Sequence, residues 1–337
     1  MKSKKIIIIA LVILLSITVF AACKPTPSEA CYTLVVPDGA PALAVANLPS
    51  HIVGDNVSHK IERKVVPSSN INEEAIKDDV DIAIVPANIA AIIFNANGGY
   101  KMLAVVTNGN LYMTSSIPCE VGTLQDLKGK MVYSIGQSSV PDMIFKTLLD
   151  KAGVSYAVGE EPSEGKVTIK YCKEGNEVIS QLTLAKSKGQ LAFGLYAEPA
   201  VTNSMAKVGF EEVFDLQSLW AQIEESNQSG YAQAVLIARD KVCEDSEFVA
   251  KLLEAFAANE SAILQDPAKS VENIKAIYPQ SALQANMTSQ VIGRCNIKTV
   301  KADATGRAYY ENTLKAILTI NANLIGGKLP SDDFYIA

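Results

Sequence analysis

The sequence predicts an α/β protein built from two units, each a mainly parallel sheet covered by helices. The first observation is that short apolar strands alternate with helices over most of the chain, which is typical of parallel sheets. The second is length, because the roughly 307 residues beyond the N-terminal segments exceed one comfortable hydrophobic core. The third is a change of pattern near Gly230, after which one strand is followed only by helices.

The first unit shows the alternation clearly. Residues 60–66 alternate apolar and charged side chains, as a half-buried strand does. Pro41 and Pro86 each suit the first turn of a helix. The predicted strands cover residues 32–36, 60–66, 81–85 and 102–106, and the predicted helices cover 41–48, 71–77 and 86–95.

The second unit begins at Thr123, where Thr-Leu-Gln-Asp resembles a helix capping box. Strands are predicted at residues 130–134, 167–171, 191–195 and 211–216, and helices at 139–152, 174–186 and 198–207. A last strand at 232–237 precedes helices at 246–265, 267–277, 281–292 and 303–324, which are separated by Pro and Gly breaks.

The N-terminus has the pattern of a secretory signal. Three lysines precede an apolar run over residues 6–20, and small residues follow at Ala21 and Ala22. The run is short for a membrane span. Residues 1–22 are therefore predicted to be a signal peptide, and the polar, Pro-containing residues 23–31 a flexible tether.

Composition and charge exclude several kinds of site. Loss of the three signal-peptide lysines takes the formal charge from −6 to −9, which argues against a nucleic-acid partner. His51 and His59 lie in a polar stretch without metal-ligand spacing, so we interpret them as solvated loop residues and predict no metal site. Tyr309 and Tyr310 lie in a helical apolar pattern and are interpreted as core.

Five cysteines follow residue 23, an odd number without a C-x-x-C pair. Buried or free thiols are expected, and a Cys119–Cys172 bridge is the alternative.

Three loops follow strands, carry small or polar residues and open helices: 37–41, 85–88 and 135–141. Ligands of open α/β sheets bind beyond the carboxyl ends of the strands. Free N–H groups at helix starts favour anionic or carbonyl groups. Ordinary strand-to-helix turns use the same residues, so each loop alone is weak evidence.

Several motifs resemble solute-binding lipoproteins of ABC importers, in the nitrate, sulfonate and thiamine-pyrimidine group. Ala21-Ala22-Cys23 resembles the lipobox of bacterial lipoproteins, which implies lipidation at Cys23. Residues 124–130 (LQDLKGK) resemble the L-x-D-L-K-G-K signature that opens the second lobe of these proteins. Similar family elements are found at residues 81–90, 198–202 and 326–335.

The resemblance implies the type II periplasmic-binding fold, with two lobes, two hinge crossings and a ligand between the lobes. On that basis lobe 1 takes residues 32–118 and 227–337, and lobe 2 takes residues 119–226. Hinges are expected near residues 112–118 and 226–231. The implied mechanism involves no catalysis and no cofactor: the ligand favours lobe closure, and the closed form docks on a membrane permease driven by an ATPase.

Candidate ligand contacts follow from the loops and the resemblance. In lobe 1 they are Asp38, Gly39, Ala40, Asn88 and Thr107, and in lobe 2 they are Gln137, Ser138, Ser139, Tyr196 and Glu198. The two serines could donate to an anion or carbonyl while also capping a helix, and Glu198 could bind a ligand amine or hold a loop.

The expected ligand is a small anion, a zwitterion or a heterocycle. No arginine lies in the three loops, so a strong anion lacks its bidentate partner, which favours a neutral or zwitterionic heterocycle over a sulfonate.

The expected location is outside the cytoplasm, anchored by lipid to the bacterial cell membrane. Two other functions remain open. A lipoprotein of this kind could sense a ligand and signal to a membrane receptor. The same fold also serves some biosynthetic enzymes, although no cleft loop carries a histidine here.

Overall fold

A computed structural model describes residues 29–223, 230–284 and 286–336. The predicted signal peptide, the predicted lipidation site Cys23 and most of the predicted tether lie outside the described residues, as does most of the second expected hinge. No helix in the described ranges is both long and apolar enough to cross a membrane.

The first sheet has seven strands in the order β13-β5-β12-β4-β1-β3-β2. Its parallel centre is β3-β1-β4, and β12, β5, β13 and β2 pair with their neighbours antiparallel. The strands are β1 (Cys31–Pro37), β2 (His51–Val53), β3 (Ser58–Val66), β4 (Ile82–Pro86), β5 (Tyr100–Asn108), β12 (Ala232–Arg239) and β13 (Ile297–Lys301).

The second sheet has six strands in the order β11-β6-β10-β7-β9-β8. Strands β10, β7, β9 and β8 run parallel, whereas β6 is antiparallel to both of its neighbours. The strands are β6 (Leu111–Ser115), β7 (Met131–Ser134), β8 (Tyr156–Val158), β9 (Val167–Tyr171), β10 (Phe193–Ala197) and β11 (Glu211–Asp215). Each sheet with its helices forms one lobe, which confirms the predicted α/β class.

Helices cover the sheets. They are α1 (Ala40–Leu43), α2 (Ile71–Glu74), α3 (Ala87–Asn97), α4 (Val140–Lys151), α5 (Gly175–Ser187), α6 (Ala200–Val208), α7 (Leu216–Ile223), α8 (Asp240–Cys243), α9 (Ser246–Gln265), α10 (Pro267–Ile277), α11 (Ser289–Arg294) and α12 (Ala304–Ile320). Helix α12 packs on α3 of the first lobe and on α4 of the second, and one apolar cluster runs through both lobes. The lobes therefore share part of their core.

Several helix boundaries differ from the sequence predictions. The helix predicted over residues 41–48 has only four residues in α1, and the helix predicted over 281–292 begins at Ser289. The second difference has a clear cause, because Ser281 and Ala282 donate hydrogen bonds to Asp38 and Thr288 caps the helix at the Val291 N–H.

Strands β2, β6, β8 and β13 and helices α7 and α8 were not predicted from the sequence. Strands β2 and β8 have three residues each, and β13 lies at a sheet edge with partly exposed side chains, so their apolar signal is weak.

The interpretation of His59 as a solvated loop residue was wrong. His59 lies in β3 with 1% of its surface exposed. Its Nδ1 accepts from the Ala30 N–H at 2.9 Å, so its Nε2 donates to Asp245, also at 2.9 Å. His51 is exposed but lies in β2 rather than in a loop.

The structure supports the assignment of Tyr309 and Tyr310 to the core, since both are buried in α12. Trp220 is also fully buried, in α7. The five cysteines in the described residues are all free, so the alternative of a Cys119–Cys172 bridge is wrong.

The chain passes from the first sheet to the second at Gly109 and Asn110. Strand β5 ends at Asn108 and β6 begins at Leu111, so residues 112–115 of the expected first hinge are already paired in the second sheet. The return segment adjoins this crossing, since the Gly109 N–H donates to the Tyr231 carbonyl at 2.9 Å.

Candidate functional site

A cavity of about 930 Å³ lies between the two lobes. Two of the three loops singled out in the sequence, 37–41 and 135–141, line it from opposite sides, whereas the loop at 85–88 contributes only Pro86. The walls also include the starts of α5 and α6 in the second lobe and residues 278–284 of the first. A cavity of this size has room for a small organic molecule.

Six of the ten predicted contact residues line this cavity. They are Asp38, Gly39, Ala40, Gln137, Ser139 and Glu198. The other four, Asn88, Thr107, Ser138 and Tyr196, are not among the lining residues.

Asp38 is held by its own lobe. Its two carboxylate oxygens accept from the Ser281 hydroxyl at 2.6 Å and from the Ala282 N–H at 2.8 Å. The carboxylate therefore fastens the segment after α10 to the β1 loop. Gly39 follows with φ of +94°, a backbone conformation that a side chain would strain.

The loop before α4 is held by a buried carboxylate that the sequence reading did not single out. Asp142 is 1% exposed and accepts from the Ser138 N–H at 3.0 Å and from the Tyr171 hydroxyl at 2.6 Å. Lys146 pairs with the same carboxylate at 3.0 Å. Burial and the Asp142 bond raise the pKa of Tyr171, so its ring lines the cavity as a neutral phenol.

Asn88 and Ser138 join two of the predicted loops without reaching the cavity. The Asn88 side-chain amide donates to the Ser138 carbonyl at 3.2 Å and to the Leu324 carbonyl at 3.1 Å. Ser138 has φ of +59°, so this contact and the Asp142 bond together hold a strained turn. The hydrogen bond between these two residues thus links the two lobes close to the cavity, although neither residue lines it.

Thr107 and Tyr196 are core residues. Thr107 is fully buried in β5. The Tyr196 hydroxyl lies between those of Thr114 and Ser204, at 3.0 and 2.6 Å. Both residues were predicted to contact the ligand, but both are fully buried and neither lines the cavity.

Both carboxylate oxygens of Glu198 accept hydrogen bonds from other protein groups. Its Oε1 accepts from Arg294 Nε at 2.5 Å and from the Thr202 hydroxyl at 2.7 Å, and its Oε2 accepts from the Thr202 N–H at 3.1 Å. The sequence left open whether Glu198 binds a ligand amine or holds a loop, and these contacts favour the second role. The second carboxylate on Arg294 is that of Glu212, also at 2.5 Å.

This ion cluster crosses between the lobes, because Arg294 ends α11 and both carboxylates belong to the second lobe. The guanidinium lies 3.9 Å from the centroid of the Tyr112 ring, and burial raises the pKa of Tyr112 to about 12. Burial opposes the charge on Arg294, but Glu212 and Glu198 outweigh it and hold the pKa of Arg294 above its usual value.

Polar residues that the sequence reading missed make up much of the remaining wall. Their signal is weak in sequence, since they are polar residues from loops, helices and one strand that only the fold brings together. They include Asn72, Asn110, Lys173, Glu174, Asn176, Asn203, Lys207, Gln233, Gln280 and Gln284.

Two of these groups also make polar contacts between the lobes. Glu174 accepts from the Ser69 N–H at 3.3 Å, and burial raises the pKa of its carboxyl. Lys207 donates to the Gln284 side chain at 3.2 Å.

Metal-holding groups and the one cysteine in the cavity wall can be examined directly. No group of three His, Cys, Asp or Glu residues in the described part of the chain could hold a metal ion. Cys172 lines the wall, but burial raises the pKa of its thiol to about 11, so it stays protonated at neutral pH.

No family model matches this sequence, and no curated protein matches it. Solved structures do match. An ABC transporter protein from Parabacteroides distasonis has a TM-score of 0.69 at 20% identity, with 90% of this chain and 98% of that one covered. The periplasmic aliphatic sulphonate binding protein SsuA of Escherichia coli has a TM-score of 0.62 at 14% identity, with 90% and 91% covered.

A third match is the ligand-binding component of an ABC-type import system from Staphylococcus aureus, which was solved with zinc bound. It has a TM-score of 0.58 at 12% identity, with 92% of this chain and 97% of that one covered. These identities are low, and the likeness extends over nearly the whole of each chain. The chain therefore has the two-lobed α/β fold of the periplasmic solute-binding proteins.

Proposed function

We propose that this protein is the extracytoplasmic solute-binding component of an ABC importer, which captures a small molecule between its lobes and delivers it to a membrane permease. The observation that carries the proposal is the cavity of about 930 Å³, whose wall is supplied by both lobes. A ligand that touches both walls stabilises the closed arrangement, because only that arrangement makes both sets of contacts. The protein binds its ligand without transforming it.

The proposal includes the N-terminal segments. A signal peptide over residues 1–22 and lipidation at Cys23 would keep the protein at the membrane surface, beside the permease and its ATPase. The solved structures with this fold include components of import systems, which supports a transport role.

The residues proposed to contact the ligand are the cavity-lining members of the predicted set. Gly39, Ala40, Gln137 and Ser139 line the wall, as do Asp38 and Glu198, whose carboxylates are also bonded to protein partners. Three helices of the second lobe, α4, α5 and α6, begin at this wall, and their free N–H groups suit a carbonyl, hydroxyl or acidic group of the ligand.

Native mass spectrometry of the full-length, detergent-extracted protein tests the proposal. We expect a bound small molecule of less than roughly 1 kDa, or one taken up from a cell extract, since drug-sized ligands fill cavities of this order. Asn203→Trp should abolish the adduct, because Asn203 lines the cavity on α6.

Ala206→Trp is the matched control, since Ala206 lies on the same helix, is exposed and does not line the cavity. An adduct that survives in the Asn203 variant would place binding elsewhere. If no compound in the extract bound or raised the melting temperature, the importer proposal would be rejected.

A further inference from the structure

A tight turn of the second lobe carries residues of the cavity wall. Residues 136–139 lie between β7 and α4, and the Ser139 N–H donates to the Gly136 carbonyl at 2.8 Å. We call these four residues the cavity turn. Its first, second and fourth members, Gly136, Gln137 and Ser139, line the cavity. The backbone conformation of the cavity turn therefore sets how this part of the second lobe meets a ligand.

Ser138, the third residue of the cavity turn, has a backbone conformation that serine rarely adopts. Its φ is +59°, whereas Gln137 before it is not among the residues with positive φ. A hydrogen-bonded turn with positive φ at its third residue alone is typical of type II, in which glycine is preferred because it has no side chain to strain. Within the described residues, Ser138 makes its hydrogen bonds through its backbone N–H and carbonyl, so its hydroxyl does not offset the strain.

The two backbone bonds of Ser138 go to different lobes. Its N–H donates to the Asp142 carboxylate, in α4 of the second lobe, at 3.0 Å. Its carbonyl accepts from the Asn88 side-chain amide, in α3 of the first lobe, at 3.2 Å. Asn88 is fully buried, and the same amide nitrogen donates to the Leu324 carbonyl at 3.1 Å, which accounts for both of its N–H groups. A side chain of the first lobe thus helps to hold the strained residue of the second.

Strain makes the cavity turn sensitive to the loss of this contact. A non-glycine residue with positive φ persists only when its surroundings hold it there. Without the Asn88 amide, only the Asp142 bond would hold Ser138, and the turn could relax toward conformations with negative φ. Gln137 and Ser139 flank Ser138 directly, so a relaxed turn would present both of them differently at the cavity wall.

We propose that Asn88 is a positioning residue for ligand binding: from the first lobe it holds the cavity turn in the left-handed conformation with which the second lobe presents Gln137 and Ser139. Asn88 does not line the cavity, so it acts through the turn and not by touching the ligand. This inference rests on the proposed function and deepens it. The turn keeps its binding conformation only while the lobes are in contact at Asn88, so a ligand that binds the turn also favours that contact.

Hydrogen-exchange mass spectrometry on the full-length, detergent-extracted protein tests the inference without a ligand. Asn88→Ala should lower the exchange protection of residues 135–143 by roughly 5-fold to 10-fold, the effect of one hydrogen bond. Asn88→Leu, which fills the buried site but cannot donate, should have the same effect and guards against a packing defect in the alanine variant.

Asn95→Ala is the matched control. Asn95 lies on the same helix, α3, and its side-chain amide also donates to two carbonyls, those of Ile325 and Lys328, but both belong to the first lobe. This variant should lower the protection of residues 322–328 and leave residues 135–143 unchanged. Equal protection of residues 135–143 in the Asn88 variants, the control and the parent would overturn the inference.

Ser138→Gly distinguishes support of the turn from a general packing role of Asn88. Glycine adopts a positive φ without strain, so the turn needs less support. The double variant Asn88→Ala/Ser138→Gly should therefore regain the protection of residues 135–143, after correction for intrinsic exchange rates. A loss of protection in Asn88→Ala that Ser138→Gly does not restore would overturn the inference.

A binding measurement separates this inference from the proposed function. In native mass spectrometry with the small-molecule fraction of a cell extract, adduct occupancy should fall in Asn88→Ala, recover with Ser138→Gly and persist in Asn95→Ala. Full occupancy in Asn88→Ala would overturn the inference and leave the proposed function standing. No adduct in the parent, together with the expected exchange pattern, would reject the proposed function and leave Asn88 only a support of the turn.

Discussion

At the scale of single residues, carboxylates that are bonded to protein groups position the segments around the cavity. Asp38, Asp142 and Glu198 each accept hydrogen bonds from backbone N–H groups and from side chains in their surroundings. All three carboxylates therefore hold protein segments in place around the cavity.

Asp142→Ala should reduce the free energy of unfolding by about 3 kcal/mol, because it leaves the Tyr171 hydroxyl and the Lys146 ammonium without their buried partner. Urea unfolding measures the loss. Glu272→Ala is the control, since Glu272 makes only an exposed pair with Lys269 and its removal should change little. Equal effects of the two variants would mean that Asp142 is not a structural support.

Glu174 should make stability dependent on pH. Burial raises the pKa of its carboxyl in the folded state, so ionisation disfavours folding. This loss of stability is absent at a pH below the pKa of Glu in the unfolded chain, about 4.3. It develops as the pH rises through the higher pKa of Glu174 in the folded protein. Glu174→Gln should therefore be more stable than the parent at pH 7 and equal to it near pH 3, as measured by urea unfolding at each pH. The exposed Glu161 supplies the control variant, Glu161→Gln, which should show no such trend.

The sequence allowed part of the site to be predicted at this scale. Gly39 and Gln137 lie in loops whose composition and place after strands mark them as candidates, and both reach the wall. Arg294 could not be assigned in this way, because its partners lie 96 and 82 residues away and only the packed fold brings them within 2.5 Å. Asn110 and Gln233 were missed for the same reason.

At the scale of helices and strands, close packing at single glycines controls where elements meet. An added Cβ at Gly306, in the first turns of α12, would lie 1.9 Å from the Lys301 carbonyl oxygen. The helix can therefore approach the end of β13 only because this position has no side chain.

Gly306→Ala should destabilise the protein by at least about 2 kcal/mol, since backbone must move to admit the methyl group. Gly293→Ala is the matched control, because Gly293 is also helical and has open space around its Cβ position. That control should be neutral or more stable, in line with the higher helix propensity of alanine. Thermal unfolding of both variants gives the comparison, and an unaffected Gly306 variant would contradict the packing.

Regular elements with a strong pattern were predictable, and irregular ones were not. The long helices α9 and α10 follow their apolar repeats and proline breaks to within a residue of the predicted ends. The family resemblance predicts a hinge where most of strand β6 lies. Both neighbours of this strand, β10 and β11, come much later in the chain. Pairing over such distances leaves no local signal.

At the scale of the whole molecule, the Arg294 cluster ties the lobes together. Arg294→Met should lower the free energy of unfolding by roughly 3 kcal/mol, because it leaves the fully buried Glu198 side chain without its cation. Arg307→Met is a close control, because Arg307 also pairs with two carboxylates and stacks on a tyrosine. In contrast to the Arg294 cluster, these ion pairs lie within one lobe, and one of the carboxylates, Asp332, is largely exposed. Urea unfolding should show a clearly smaller loss for the control, and equal losses would refute the role of the cluster.

The division of the first lobe between two distant parts of the chain has a consequence for biosynthesis. Strand β5 lies between β12 and β13, which are made more than 120 residues after it, so both of its edges stay open while the second sheet is being synthesised. The second sheet comes from one continuous stretch, from Leu111 to Asp215. Because segments near in sequence find each other sooner, the lobe that is encoded in the middle of the gene is the first able to complete itself, and the lobe that begins the chain is the last.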